Sequence, residues 1–327
     1  MTIRLGCLGV GWIGRHRLQA ILQTGCAEIV AIAEPSPEMA AQARLLAPDA
    51  ELVADLDGLI DAGVDGVVIA TPSAAHAAQS IHALQRGAAV FCQKPLGRTR
   101  AEVQAAVAAA RLADRLLGVD LSYRFTDSLQ RIRAIVRSGG LGEIYSVDLT
   151  FHNAYGPDKP WFYDPALSGG GCVMDLGVHL VDLALWALDF PSVTEVASQL
   201  FAAGQPLPRN ASQVEDYANA TLRLASGASV RLACSWRLQA GQDAIIAAAF
   251  YGTEGGVGLR NVDGSFYDFV AERYRGTDRE TLCVPPDPWG GRAAAAWATR
   301  LAAGERFDPT SIGLVEVADV LDRIYGR

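Results

Sequence analysis

The chain has 327 residues, of which 50% are hydrophobic and 20% charged, a composition typical of soluble globular proteins and a length that predicts two domains. The formal net charge of −8, with no run of lysine or arginine, argues against a nucleic acid or an anionic membrane as partner. The six cysteines are scattered without a C-x-x-C pair, so the sequence gives no zinc ribbon and no sign of a disulfide framework, and we expect a reducing, cytoplasmic location. No apolar stretch of about eighteen residues runs without glycine or charge, so no membrane span is expected.

The first part of the chain alternates short apolar runs with alanine-rich segments. This alternation predicts a parallel sheet with helices on both faces, and the nearly continuous apolar strands fit a sheet that is buried on both sides. The predicted strands are 3–11, 28–34, 65–71, 88–94 and 116–120, and the predicted helices are 12–24, 36–47, 55–62, 73–86 and 98–114.

After a predicted helix over 126–138, the chain becomes mostly β. Ala218, Ala220, Leu222 and Leu224 alternate with polar residues, and the Ser-Gly pair at 226–227 predicts a hairpin turn. The further strands are predicted at 143–153, 194–202, 217–236, 244–251 and 256–271, with helices at about 172–189 and 310–325. The domain boundary is predicted near 121, which gives domains 1–121 and 122–327.

A G-x-G-x-x-G pattern follows the first strand and opens the first helix. Its residues are Gly9, Gly11, Trp12, Ile13 and Gly14. Such glycines allow a tight turn and a close approach of the backbone to a pyrophosphate at the helix N-terminus, although they also serve turns without a ligand.

The second strand of the predicted parallel sheet ends in an acidic residue, Glu34. A carboxylate at this position accepts hydrogen bonds from ribose hydroxyls and repels a 2′-phosphate, so it favours NAD(H) over NADP(H).

Two further strands end in residues that suit a ligand site at the carboxyl edge of a parallel sheet. Thr71 and Pro72 follow one strand, and Lys94 follows another, where it serves either a ligand or a surface loop. His76 lies one turn into the next helix, so it either contacts nicotinamide or substrate or packs at the helix start.

Three polar residues form a stripe on the apolar helix predicted at 172–189. They are Asp175, His179 and Asp182, which share one face at spacings of four and seven residues. The stripe is either a structural hydrogen-bond network or half of an acid–base site. A metal site would need further ligands, and no H-E-x-x-H motif, cysteine cluster or suitably spaced second histidine supplies them.

Taken together, the motifs resemble the Gfo/Idh/MocA family of oxidoreductases. The resemblance covers nearly the whole chain. It is carried by GVGWIG (9–14) with Glu34, IATPSAAH (69–76), QKPL (93–96), RF (124–125), SGGLGEI (138–144) and GGGCVMDLGVHLVDL (169–183).

The family resemblance implies a Rossmann domain, a doubly wound parallel sheet, followed by an α+β domain with a large open, mainly antiparallel sheet that is often used in oligomers. It implies a nicotinamide cofactor, a sugar, polyol or cyclitol as substrate, and a homo-oligomer. By matching motif, Lys94, Asp175 and His179 form the catalytic group. Gln93 stands where the family usually has a glutamate, which changes the charge beside Lys94.

In this interpretation His179 accepts the hydroxyl proton, Lys94 stabilises the developing alkoxide, and Asp175 orients the histidine or anchors a neighbouring hydroxyl. Which of His179 and Lys94 holds the proton in the transition state stays open. Weaker candidates for lining the same cleft are Tyr123, Arg124, His152 and Trp161, the last of which either stacks on a sugar ring or packs internally. Asp182 is interpreted as structural. Two other functions remain open: an NAD-dependent glycosidase of the same fold and a non-catalytic nicotinamide-binding sensor.

Overall fold

Residues 2–208 and 211–327 are described by the computed structural model. By their contacts they form two units, one of residues 2–122 with 290–315 and one of residues 123–208, 211–289 and 316–327. The sequence prediction assigned 290–315 to the second domain. The contacts place this segment in the first unit because its helix packs against the parallel sheet.

The first part of the chain folds as predicted into alternating strands and helices. Its strands are β1 (Ile3–Leu8), β2 (Ala27–Ala33), β3 (Glu51–Val53), β4 (Gly66–Ile69), β5 (Ala89–Cys92) and β6 (Leu117–Val119). Its helices are α1 (Trp12–Leu22), α2 (Pro37–Arg44), α3 (Leu56–Asp61), α4 (Ser73–Gln85) and α5 (Arg100–Ala113). Strand β3 was not predicted because it has three residues, none of them buried.

The six strands of the first unit form one parallel sheet in the order β3-β2-β1-β4-β5-β6. Chain order reverses between β1 and β4, and in such sheets ligands bind outside the carboxyl ends of the strands at this point. The glycine loop follows β1, and Thr71 and Lys94 come shortly after β4 and β5. The sheet therefore gathers the predicted cofactor residues at one edge.

Apart from residues 290–315, which belong to the first unit, the rest of the chain is built around a large sheet. The remaining helices are α6 (Asp127–Arg137), α7 (Pro165–Ser168), α8 (Val178–Ala187), α9 (Arg292–Ala302) and α10 (Ile312–Tyr325), and a π-helical turn (Val173–Gly177) leads into α8. Short 3-10 helices lie at Ser122–Phe125, Pro160–Tyr163 and Pro309–Ser311. The strands are β7 (Ile144–Asn153), β8 (Val193–Ala202), β9 (Gln205–Pro206), β10 (Tyr217–Leu224), β11 (Ser229–Ser235), β12 (Ala244–Gly252), β13 (Gly255–Asn261), β14 (Phe269–Arg275) and β15 (Asp278–Cys283).

Nine strands form the second sheet in the order β15-β14-β13-β12-β7-β11-β10-β8-β9. All neighbours are antiparallel except β11 and β7, which are parallel. Both sheets confirm the predicted fold class. The alternation in β10 is also confirmed, because its four alanine and leucine residues are buried.

Besides the short elements β3, α7 and β9, which were not predicted, other details of the sequence prediction were wrong. The predicted strand 256–271 is two strands, β13 and β14, separated by the turn around Gly264. Strand β15 and helix α9 were not predicted. In α9 the indole of Trp297 lies 5.7 Å from the ring of Phe91, and a Cβ at Gly66 of β4 would stand 2.9 Å from the same indole. Helix α9 thus covers the first unit's sheet. Its alanine-rich sequence has no capping side chain that would mark the start of the helix.

Candidate functional site

The three glycines of the loop differ in the space around them: a Cβ would find room at one of them and would meet backbone atoms at the other two. Gly9 has a φ of +82°, and a Cβ there would stand 2.7 Å from the carbonyl oxygen of Ala70, while a Cβ at Gly14 would overlap the carbonyl oxygen of Gly9. A Cβ at Gly11, in contrast, would meet nothing within 4 Å. Gly11 caps α1, and Trp12, which follows it, is 62% exposed. The turn therefore leaves room beside the helix N-terminus, where a phosphate would be favoured.

Glu34 is held against this loop. Its carboxylate accepts hydrogen bonds from the backbone N–H of Val10 at 2.8 Å and of Ser36 at 3.0 Å. The guanidinium of Arg15 donates to the carbonyl oxygen of Val10 and to the sulfur of Met39. The acidic side chain is thus fixed at the end of β2, where the ribose hydroxyls of a dinucleotide would be expected.

Thr71 and Pro72 lie between β4 and α4. The hydroxyl of Thr71 donates to the side-chain oxygen of Gln79 at 2.6 Å, and Pro72 is the N-cap residue of α4. In the next loop, the backbone N–H of Gln93 donates to the carbonyl oxygen of Ile69 at 2.9 Å. Lys94 follows at once, directly after a residue whose backbone is bonded to the end of β4.

His76 connects these two loops. Its Nδ1 lies 2.7 Å from the carbonyl oxygen of Pro95, and its Nε2 lies 2.6 Å from that of Thr71. Burial lowers the pKa of His76, and it outweighs the two carbonyl oxygens, which favour the imidazolium. These contacts make the imidazole a brace between the loops, and contact with nicotinamide or substrate stays a prediction.

The second unit carries the polar stripe on a helix whose start is held by one buried carboxylate. Both oxygens of Glu215 accept from the backbone N–H of Gly171, one of them also from that of Val173 at 2.9 Å, and the hydroxyl of Tyr325 donates to it at 2.8 Å. The backbone N–H of Cys172 donates to the carbonyl oxygen of Glu215. Burial raises the pKa of Glu215, although these hydrogen bonds act in the opposite direction.

The π-helical turn places Asp175 just before α8. The indole N–H of Trp236 donates to its carboxylate at 3.0 Å. His179, one turn later, is buried, and its ring centroid lies 4.9 Å from that of Tyr123 and 6.4 Å from that of Phe151. The predicted helix is regular over this stretch, whereas the structure inserts a wider turn, a deviation often found at functional sites.

Asp182 and Arg124 form an ion pair. Nε of Arg124 donates to the Asp182 carboxylate at 2.8 Å and Nη2 donates to its second oxygen, while the guanidinium lies over the rings of Trp186 and Phe190. Bidentate pairing of this kind fixes both side chains. Asp182 is therefore placed as a structural residue, and the same contacts do not favour a substrate role for Arg124.

The other weak candidates occupy different surroundings in the second unit. Tyr123 is buried among Phe151, His179, Phe269 and Trp289, and burial raises the pKa of its hydroxyl. His152 lies 2.7 Å from the hydroxyl of Ser235 and stacks on Tyr217, and burial lowers its pKa. Trp161 stacks on Phe162 with ring centroids 3.8 Å apart. Among these candidates, Tyr123 packs its ring against the imidazole of His179.

Sequence reasoning missed several residues that shape these regions. Glu215 and Tyr325 brace the stripe helix, and Arg17 and Asp120 form a buried ion pair beside Gln93. None of them stands in a motif with fixed spacing, and their partners lie far away in the chain. The one available signal was the acidic pair Glu215 and Asp216 just before the alternating strand β10.

Across residues 2–208 and 211–327, no group of three or more His, Cys, Asp or Glu side chains is arranged to hold a metal ion. One helical stretch, Pro165–Ala187, has the length and apolar composition of a membrane span, but 94% of its apolar window is buried inside the protein, as expected for the core helix of a soluble protein.

Comparison with known proteins extends over both parts of the chain. Residues 3–121 match the model of the oxidoreductase family with an NAD-binding Rossmann fold, and residues 129–258 match the GFO/IDH/MocA C-terminal domain. Among curated proteins, the chain is 30% identical over 206 residues to D-glucoside 3-dehydrogenase of Escherichia coli K12, covering 60% of this chain and 58% of the relative. It is 29% identical over 264 residues to inositol 2-dehydrogenase of Rhizobium meliloti 1021, covering 80% of this chain and 76% of the relative.

Among solved structures, a levoglucosan dehydrogenase in complex with NADH and levoglucosan has the same fold. It superposes with a TM-score of 0.83 at 22% identity, covering 99% of this chain and 96% of that one. The two family models, matched in order along the chain, agree with the parallel sheet, the glycine loop and the large second sheet. The chain therefore belongs to the Gfo/Idh/MocA family of oxidoreductases.

Proposed function

We propose that this protein transfers a hydride between a nicotinamide cofactor and a hydroxyl or carbonyl carbon of a sugar, polyol or cyclitol-like substrate. The observation that carries the proposal is the open position at Gly11 beside the helix N-terminus, with the Glu34 carboxylate bound to the same loop. The matched curated relatives act on glucosides and inositol according to their names, which supports a polyhydroxy substrate.

The proposed catalytic group is Lys94, Asp175 and His179. The nicotinamide ring supplies the hydride chemistry when it is bound. Oxidation of an alcohol also releases the hydroxyl proton, and a histidine is suited to accept it near neutral pH. The ammonium of Lys94 would stabilise negative charge on the substrate oxygen. Asp175, fixed by the indole of Trp236, would orient the imidazole or anchor a neighbouring hydroxyl.

The proposed cofactor-binding residues are those of the glycine loop together with the sheet edge. They are Gly9, Gly11, Trp12, Ile13, Gly14, Glu34, Thr71, Pro72, His76, Gln93 and Lys94. We favour NAD(H) because a carboxylate at Glu34 repels the 2′-phosphate of NADP(H).

The test is a screen of sugars, polyols and cyclitols that follows the absorbance of NADH, first with NAD⁺ and then with NADP⁺. We expect turnover with NAD⁺ and at least one polyhydroxy compound. Hydrolysis of aryl glycosides without net cofactor turnover would replace the proposal by an NAD-dependent glycosidase. Binding of NADH without turnover of any compound would replace it by a nicotinamide-binding sensor.

The catalytic assignment is tested by His179→Ala. We expect turnover to fall by about 100-fold or more, as for loss of a general base, with NADH affinity unchanged within about threefold. His82→Ala is the matched control, because His82 pairs with Asp57 on the surface of the first unit. Full activity of His179→Ala would contradict the assignment.

We further propose a cytoplasmic homo-oligomer, either a dimer or a tetramer. All six cysteines are free, which supports a reducing compartment. Light scattering of the purified protein measures the mass in solution, and a monomer at micromolar concentration would contradict the oligomer.

A further inference from the structure

Among the residues that the structure describes, Gln93 lies in a buried hydrogen-bond network whose one carboxylate is Asp120. Its side-chain Nε2 donates to Oδ2 of Asp120 at 2.6 Å, and Nε of Arg17 donates to the same oxygen at 2.5 Å. We infer that this network positions Lys94, and that it requires a neutral amide at position 93 because Asp120 already supplies the negative charge. The inference rests on the proposed role of Lys94 and names Gln93 as its positioning residue.

The network joins three elements of the first unit. Gln93 follows β5, Asp120 follows β6, and Arg17 belongs to α1, the helix that begins at the glycine loop. The backbone N–H of Asp120 donates to the carbonyl oxygen of Cys92 at 2.9 Å, next to the bond from Gln93 to Ile69. The residue that precedes Lys94 is therefore held through its backbone on one side and its side chain on the other.

The charges in this network balance. The side chains of Arg17 and Asp120 are 7% and 1% exposed, so each charge depends on the other for its stabilisation. The amide of Gln93 and the guanidinium of Arg17 both donate to Oδ2 of Asp120. Its other oxygen, Oδ1, is buried without a hydrogen-bond partner among the residues that the structure describes. His16 lies beside the network, with its Nδ1 2.9 Å from Nη1 of Arg17.

A glutamate at position 93 would disturb this balance. Its carboxylate offers no donor to Asp120, and two carboxylates at hydrogen-bond distance cannot both be ionised in a buried place. Either one of them would take up a proton or the two side chains would separate and shift the start of the Lys94 loop. The resemblance to the family leads one to expect glutamate at 93. In this chain the carboxylate beside Gln93 is that of Asp120.

The experiment compares Gln93→Glu with the exchanged pair Gln93→Glu/Asp120→Asn, which moves the single carboxylate from 120 to 93. Gln104→Glu is the matched control, because Gln104 is exposed on α5. The thermal unfolding midpoint without cofactor, the affinity for NADH, and kcat and KM with the polyhydroxy compound found in the screen are measured for each variant.

We expect Gln93→Glu to lower the midpoint by about 5 °C or more, as for an uncompensated buried charge. We expect kcat to fall by about tenfold while KM for the polyhydroxy compound changes by less than about threefold, because the Lys94 loop is displaced. The exchanged pair should recover most of both losses, and Gln104→Glu should behave as the wild type.

Three results would overturn the inference. A Gln93→Glu protein as stable and active as the wild type would show that the amide is not required. Failure of the exchanged pair to recover the midpoint would contradict the charge balance, and recovery of the midpoint without kcat would contradict the positioning of Lys94. If the wild type binds NADH but turns over no compound, the proposed function fails, while the midpoints still decide whether the network needs one carboxylate.

Discussion

Two glycine-rich segments lead into helices in this protein, one in each unit, and they differ in what lies beside the helix start. In the first, residues 9–14, Gly11 faces open space beside the N-terminus of α1. In the second, residues 169–171, the space is filled by the chain itself, because a Cβ at Gly170 would overlap the hydroxyl of Tyr325 and one at Gly171 would overlap the carbonyl oxygen of Glu215.

The comparison shows two ways to satisfy the free N–H groups at a helix start. Such groups attract an anion, which is either a ligand or a side chain of the protein. In the proposed function the first segment leaves this place for a phosphate of the cofactor, whereas in the second segment it is taken by the buried carboxylate of Glu215. A glycine motif alone therefore does not identify a ligand site, and the decisive observation is what occupies the space that a Cβ would fill.

The largest effect that tests this comparison is expected for Gly171→Ala. The added methyl group would overlap backbone atoms of Glu215, which cannot move as the end of a side chain can. We expect a loss of about 3 kcal/mol or more in the free energy of unfolding, measured by chemical denaturation. A variant as stable as the wild type would mean that the second segment tolerates a Cβ and is less closely filled than its contacts indicate.

The next effect is expected for Glu215→Gln. The amide oxygen can still accept from Gly171, Val173 and Tyr325, but the amide NH₂ would stand where the second carboxylate oxygen accepts from the N–H of Gly171, so we expect a loss of about 2 kcal/mol. The size of this loss also depends on pH. Burial raises the pKa of Glu215 in the folded protein, so its contribution is fully present below the ordinary carboxyl pKa and declines as the pH rises through the raised value.

Chemical denaturation over a pH series measures this dependence as the difference in free energy of unfolding between wild type and Glu215→Gln. The difference should narrow as the pH rises, because the wild type loses the contribution of Glu215 while the glutamine of the variant does not ionise. A difference that widens with pH would mean that the three donors, rather than burial, determine the state of the carboxyl.

The two segments also show what could be predicted from the sequence. The open loop was predicted with its helix, its strands and Glu34, because these residues are close in the chain and have fixed spacing. The polar stripe at Asp175 and His179 was recognised in the same way. The filling of the second segment was not predicted, because Glu215 and Tyr325 reach it from distant parts of the chain.

The same distinction holds within the first unit. The glutamine at position 93 was noticed as a departure from the family pattern, but its partner Asp120 is 27 residues away and Arg17 is 103 residues from Asp120. Local patterns determine which elements form and which edge gathers them. The contacts that set the charge beside Lys94 are known only once the strands and α1 are packed together.

A third effect is expected at the open segment, where Gly11→Ala is the counterpart of Gly171→Ala. The added methyl group meets no atom of the protein, and the backbone φ of −56° suits alanine. The free energy of unfolding of the protein without cofactor should therefore change by less than about 0.5 kcal/mol. Affinity for NADH, measured by fluorescence titration, should fall by about tenfold, or about 1.4 kcal/mol, because the methyl group keeps the pyrophosphate from the backbone.

The outcome of Gly11→Ala separates a ligand site from a turn that merely contains glycines. Unchanged NADH affinity would contradict the pyrophosphate position at Gly11. A loss of stability as large as that of Gly171→Ala would remove the contrast between the two segments.

The smallest effect is expected for Tyr325→Phe, which removes one of the donors to Glu215 and leaves the backbone N–H groups of Gly171 and Val173 in place. We expect a loss of about 1 kcal/mol in the free energy of unfolding, the usual contribution of one buried hydrogen bond. Tyr163→Phe is the matched control, since the Tyr163 hydroxyl donates to the carbonyl oxygen of Pro157 near the surface. If both variants lose the same small amount of unfolding free energy, the backbone N–H groups alone hold the Glu215 carboxylate. The second segment then resembles the first more closely, because the helix start holds an anion without help from a side chain.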